Sequence, residues 1–114
     1  VIAHLKIKGL QMNILWPFSN YCKIIPQLYY TYILYSETAD RFYVGSTGNL
    51  ERRIEDHKRG KAKYTRQVNN WQLKYFEKYN TRSESYQREQ YIKRRKSRDY
   101  IIGLIRSAGS EHPV

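Results

Sequence analysis

The sequence predicts one α+β domain with the element order β-β-α-β-α-α. Three observations carry this. Two runs rich in β-branched and aromatic residues, Leu28–Tyr35 and Arg41–Ser46, stand a short polar stretch apart. A third run, Trp71–Tyr79, alternates apolar and polar residues. Between and after these runs lie stretches that open on capping residues and carry apolar positions at helical spacing. At 114 residues there is room for one core and no second domain.

Taken in order, residues 1–27 read as a poorly ordered leader interrupted by Pro17 and Pro26, with Leu10, Ile14, Leu15, Trp16 and Phe18 as its apolar positions. The rival reading is a short extra element that docks Leu15, Trp16 and Phe18. Leu28–Tyr35 and Arg41–Ser46 are joined by the polar turn 36–40, most simply as an antiparallel hairpin. Either Thr47 or Asn49 caps the helix that follows, whose apolar face is Leu50, Ile54 and His57. Gly60 ends it, with Lys58 and Arg59 in the last turn, where cations suit the helix dipole. Residues 61–70 form a basic loop. Trp71, Leu73 and Tyr75 are expected on one face of the third strand. Thr81-Arg82-Ser83-Glu84 is a capping box for a helix to about Lys96. Ser97 caps a final short helix with Tyr100, Ile101, Leu104 and Ile105 inward. The domain therefore spans 28–108, and 109–114 form a flexible tail.

Composition narrows the function. Lys and Arg number 21 against 10 Asp and Glu, a net charge of +11 that favours polyanionic partners. The single cysteine, Cys22, excludes a disulfide framework and a cysteine-rich zinc site. No apolar run approaches the roughly 18 residues of a membrane span. There is no GxSxG, glycine-rich phosphate loop or GxGxxG. His4 and His112 lie in the ends, so the domain carries only His57 and offers no multi-histidine metal site.

What remains is a set of tyrosines, Arg53 with His57 one turn on, and Glu89 in a very basic helix. Tyr30 and Tyr32 point to one sheet face. Arg53 and His57 project together, and the planar guanidinium suits two phosphate oxygens at once. A phenol beside cations is expected to have a lowered pKa and to accept a proton from water. One carboxylate completed by phosphate oxygens and water is a usual magnesium site. Each residue has a plainer reading as well. The tyrosines suit a strand core, His57 shares its face with Leu50 and Ile54, and Glu89 is spaced to pair with Lys93. Gly45 serves a close backbone approach or a bulge, or else the substrate. Residues 49–66 carry seven bases against three acids, and residues 82–98 seven against two. Such runs either form a solvated face or track phosphates. Lys58, Arg59, Lys61, Lys63, Tyr64, Arg66, Lys93 and Arg94 are the candidate DNA contacts.

Tyr30-Thr31-Tyr32, followed by Tyr43-Val44-Gly45, resembles the paired motif of the GIY-YIG nuclease family. The first half keeps only its tyrosine, Tyr32. Arg53, His57 and Glu89 fall where that family places its phosphate-binding arginine, a frequent histidine and its metal-binding glutamate. Trp71–Tyr75 matches its third strand. The resemblance covers about 28–108 and is greatest to short stand-alone bacterial members related to the nuclease domain of the excision-repair incision subunit. The family's basic position after the second motif is Ser46 here, and its late asparagine has no closer counterpart than Ser97.

The resemblance implies a three-stranded antiparallel sheet flanked by helices, and a divalent-metal-dependent endonuclease acting on DNA or RNA. Tyr32 and Tyr43 would position or deprotonate the attacking water, Arg53 would hold the scissile phosphate, and His57 would assist proton transfer. Glu89 would ligate one Mg2+ or Mn2+. It also implies a cytoplasmic protein, working in repair or recombination with or without a larger partner. Two alternatives stand beside it: a nucleic-acid-binding module that has lost efficient cleavage, and a basic domain attached to a larger repair protein.

Overall fold

The computed structural model describes residues 2–7, 10–15, 23–63, 65, 67–68 and 70–111. In the leader, Leu10-Gln11-Met12-Asn13-Ile14 alternates apolar and polar, which is strand spacing. It lies in β2 (Leu10–Leu15), which pairs antiparallel with β1 (Ile2–Ile7) and β3 (Lys23–Pro26) in a sheet of order β1-β2-β3. Regular strands thus stand in the stretch read as a poorly ordered leader. Pro26 is tolerated because β3 is an edge strand of that sheet. Trp16, Phe18 and Cys22 lie outside the described residues.

The main sheet is built on β4 (Tyr29–Ser36), flanked by β5 (Arg41–Thr47) and β6 (Trp71–Tyr79), all antiparallel. A central strand covered on both faces must be buried throughout, and Tyr29, Thr31, Tyr32, Ile33, Leu34 and Ser36 all are. Tyr32 and Leu34 point to one face, where they meet Trp71, Tyr43, Leu73 and the Leu50 and Ile54 of α1 (Leu50–Lys58). Ile33 points to the other, against Val44 and the Ile92 of α2 (Arg82–Arg95). There Ile101, Leu104 and Ile105 of α3 (Arg98–Glu111) complete the layer. Fully buried residues such as Ile33 and Leu34 each contribute about 1.5–3 kcal/mol of apolar burial. The order β-β-α-β-α-α over residues 29–111 is the one expected from the sequence.

Three details differ from the sequence reading or settle what it left open. In β6 the register slips by one residue, so that Ile33 faces Tyr75 while Leu34 faces Leu73. The bulge at Lys74 sends Trp71 and Leu73 to the α1 side but Tyr75 to the α2–α3 side, where one face was expected for all three. At α1 the cap is Asn49, whose side chain accepts from the Arg52 amide (3.1 Å), while Thr47 Oγ1 accepts from the Asn49 amide (3.1 Å) and steadies the turn before the helix. Finally, α3 is longer than a short helix and continues to Glu111, into the stretch read as tail. Its start is anchored by Ser97 Oγ, which accepts from the Tyr100 amide (3.1 Å). Once its apolar stripe has docked, each further residue adds a backbone hydrogen bond at little cost.

Candidate active site

The two motif strands bring their tyrosines together across one register pair. Tyr32 lies opposite Gly45, and its ring crosses the glycine. A Cβ at Gly45 would stand 2.5 Å from the Tyr32 hydroxyl oxygen, so only glycine leaves room for the phenol. Close backbone approach is thus the role of this residue. Tyr43, on the next strand, sits with its ring 6.3 Å from Tyr32 and 4.7 Å from His57.

α1 supplies His57 and Arg53 to the same face. His57 is completely buried, with Nε2 2.9 Å from the Tyr32 hydroxyl and Nδ1 2.7 Å from Thr65 Oγ1. The Thr65 hydroxyl is turned to the Ala62 carbonyl at 3.5 Å. In that arrangement Nδ1–H donates to Thr65, and Nε2 accepts the phenol proton of Tyr32. Burial, followed by the nearby Arg53 charge, lowers the His57 pKa to about 4. The ring is therefore neutral near pH 7 and is walled off from solvent. It orients Tyr32 rather than exchanging protons with water.

Tyr32 departs from expectation in the same way. Burial raises its pKa above the ordinary phenol value, and the opposing pull of Arg53 does not overcome this. With 1% of its surface exposed, it stays protonated and does not meet a water molecule directly. The expectation of a lowered phenol pKa fails at Tyr32 because desolvation outweighs one partly screened cation. Arg53 is half-buried. Burial works against its charge, but its interactions with the Tyr32 and Tyr43 phenols more than compensate and raise its pKa.

Glu89 comes from α2 and is buried, with 8% exposed. Its Oε1 accepts from Ser46 Oγ at 2.6 Å, and its Oε2 pairs with Lys93 Nζ at 2.5 Å. The plainer reading of Glu89 as the partner of Lys93 therefore holds, alongside its position at the site. Ser46 and Arg53 line one cleft of about 440 Å³, with Gln27, Tyr29, Arg52 and Arg82 among its other walls. Among the described residues, no group of three or more His, Cys, Asp or Glu is placed to hold a metal. The donor set at Glu89 is one carboxylate with a hydroxyl beside it, all hard oxygen. That set fits a small divalent cation whose remaining positions are filled by water and phosphate oxygens.

A sequence model described as the GIY-YIG catalytic domain matches residues 28–100, well over half of the chain. The chain belongs to the GIY-YIG family. It is 44% identical over 79 residues to a UPF0213 protein of Clostridium perfringens, covering 68% of this chain and 83% of that one. It is 36% identical over 87 residues to a UPF0213 protein of Bacillus licheniformis, covering 74% and 89%. For a UPF0213 protein of Haloquadratum walsbyi the identity is 42% over 66 residues, covering 56% and 74%. No solved structure matches the chain significantly. GIY-YIG membership gives a nuclease-type fold and implies nucleic-acid binding.

Within this GIY-YIG domain the candidate DNA contacts scatter. Lys58, Lys61, Lys63 and Arg94 are exposed, and Arg59 is exposed beside Glu55 at 3.7 Å. Lys93 is drawn to Glu89, with its ammonium 5.9 Å from the Tyr43 ring centre. Tyr64 and Arg66 lie outside the described residues. Arg52 faces the same cleft as Arg53. Two site residues escaped the sequence reading. Ser46 stands where the family has a basic residue, and its place one residue after Gly45 on a motif strand is itself a signal. Thr65, which holds the far side of His57, has no local signal, because it arrives from a loop. Ser97 serves as a helix cap. No helix among the described residues is long and apolar enough to cross a membrane.

Proposed function

We propose that the chain is a divalent-metal-dependent endonuclease that hydrolyses phosphodiester bonds in DNA. The observation that carries this reading is Arg53, half-buried beside the Tyr32 and Tyr43 phenols and facing a cleft that Ser46, bonded to Glu89, also lines. Its planar fork can bind two oxygens of the scissile phosphate. The Tyr43 hydroxyl, less buried than that of Tyr32, accepts a hydrogen bond from the attacking water and aims its lone pair at phosphorus. Tyr32, His57 and Thr65 form a buried brace that fixes Tyr43 and Arg53, so the site is organised before substrate arrives. Glu89 and Ser46 would hold one Mg2+ or Mn2+. When bound, such an ion neutralises charge on the leaving oxygen. The bond from water oxygen to phosphorus forms as the ester P–O bond breaks; the attacking water gives up one proton to solvent, and the leaving oxygen takes one up from solvent. A cytoplasmic role in repair or recombination, with or without a larger partner, belongs to the same proposal.

One observation favours a second reading, a binding module with weak cleavage: both oxygens of Glu89 are engaged, one of them by an ammonium. Nicking of supercoiled plasmid with and without magnesium separates the two. The nuclease reading expects magnesium-dependent nicking that Glu89→Gln abolishes while DNA binding persists. Binding without cleavage under any divalent cation would establish the module.

A further inference from the structure

Both helices that border the cleft carry arginines near their N-termini. Arg52 and Arg53 lie in the opening turns of α1, and Arg82 is the first residue of α2. A cation at a helix N-terminus opposes the macrodipole, so these positions lower helix stability rather than raise it. All three nevertheless line the same cleft, and none has an ion pair among the described residues. Asp56 is the one acid on its walls. Arg82 is not loosely placed: its guanidinium lies over the Tyr29 ring, 5.0 Å from the centre. The floor beneath is fixed too. Gln27 is buried and donates both amide protons, to the Leu28 and Gly48 carbonyls, at 2.8 Å each. A Cβ at Gly48 would come within 3.2 Å of the Tyr29 ring, which keeps loop and ring in close contact.

Three guanidiniums converging on a rigid, open cleft are matched by an extended anion and not by a single small one. Along α2, Arg82 stands about 10 Å from Glu89, at about 1.5 Å per residue. That separation suits a neighbouring phosphate on the strand whose scissile phosphate sits on Arg53. We propose that Arg82, with Arg52, binds a backbone phosphate flanking the cleavage point, so that the nucleic-acid strand runs through the cleft between the N-termini of α1 and α2. This rests on the nucleic-acid reading above and assigns the strand its path.

The test is the salt dependence of binding to a short fluorescent DNA duplex without divalent cation, for wild type, Arg82→Gln and Lys78→Gln. Lys78 is an equally exposed cation on β6, outside the cleft. Arg82→Gln is expected to weaken binding by roughly three- to tenfold and to lower the log–log salt slope by about 0.9, one phosphate contact. Lys78→Gln should leave the slope unchanged. An unchanged slope for Arg82→Gln, or an equal fall for both variants, overturns the proposal. Plasmid nicking of the same proteins keeps the two readings apart. A protein that never cleaves but loses the contact through Arg82 keeps the strand path and loses the nuclease. A protein that cleaves with an unchanged slope keeps the nuclease and loses the path.

Discussion

The two faces of the main sheet use the same residue types for different ends. On the α2–α3 side, Arg88 forms two hydrogen bonds with Glu77, at 2.9 and 3.1 Å, and the Tyr75 and Tyr79 hydroxyls donate to the same carboxylate. Burial pushes the Glu77 carboxyl up, but the hydrogen bonds from Arg88 and the two phenols more than reverse it, and it stays charged. On the α1 side, Arg53 also sits between two tyrosines, yet no carboxylate neutralises it among the described residues. The first cluster is closed, with every charge answered within the fold. The second leaves a positive charge for an anion to answer. An arginine among tyrosines is structural or functional according to whether an acid completes the group.

Four measurements press on this contrast. The largest effect should come from Arg53→Ala, which removes one preorganised phosphate contact and should cut cleavage by about 10²–10³-fold, with little change in thermal stability. Arg53→Lys should not restore the rate, because a point charge cannot replace the fork. Arg88→Ala should do the opposite. It leaves Glu77 partly buried without its cation and should destabilise by about 1–3 kcal/mol in denaturant unfolding, with kcat retained. Equal rate losses for the two variants would erase the distinction between the clusters.

A pH series comes next in size. The folded pKa of His57, about 4, lies below the unfolded value, so the unfolded chain binds more protons between them. The contribution of His57 to stability is thus fully present above about pH 6.5 and is lost as pH falls towards 4. Chemical denaturation should show this acid-side loss in the wild type and a flatter profile in His57→Gln; parallel profiles would place the titration elsewhere. The smallest effect belongs to Arg59→Ala. Its contact with Glu55 is long and exposed, and unfolding should detect less than about 0.5 kcal/mol.

Much of this was legible before any coordinates. The capping box at Thr81, the glycine after α1 and the β-branched runs are local signals, and each produced its element where expected. Tyr32, Tyr43, Arg53, His57 and Glu89 were legible through spacing, and all reach one neighbourhood. What escaped was non-local. The bulge at Lys74 keeps the alternation of exposure along β6 but reverses which face is meant, and only pairing with β4 reveals it. The alternation of β2 was present but short, in a stretch that Pro17 and Pro26 interrupt further on. Charge and pKa misled most, because proximity to Arg53 can be guessed from sequence, whereas the burial that overrides it at Tyr32 cannot. Thr65 became a partner of His57 only because a loop folds back beneath the helix.

The crossing of Tyr32 over Gly45 ties two distant points of the chain into one inheritable unit. Neither position is free to drift alone: a larger residue in place of the glycine expels the phenol, and loss of the phenol lifts the demand for glycine. Lineages that abandon the tyrosine should therefore soon accept side chains at the glycine, while lineages that keep it should not. The pair then serves as a fossil of selection, by which chains that still maintain this corner can be told from chains that have let it go.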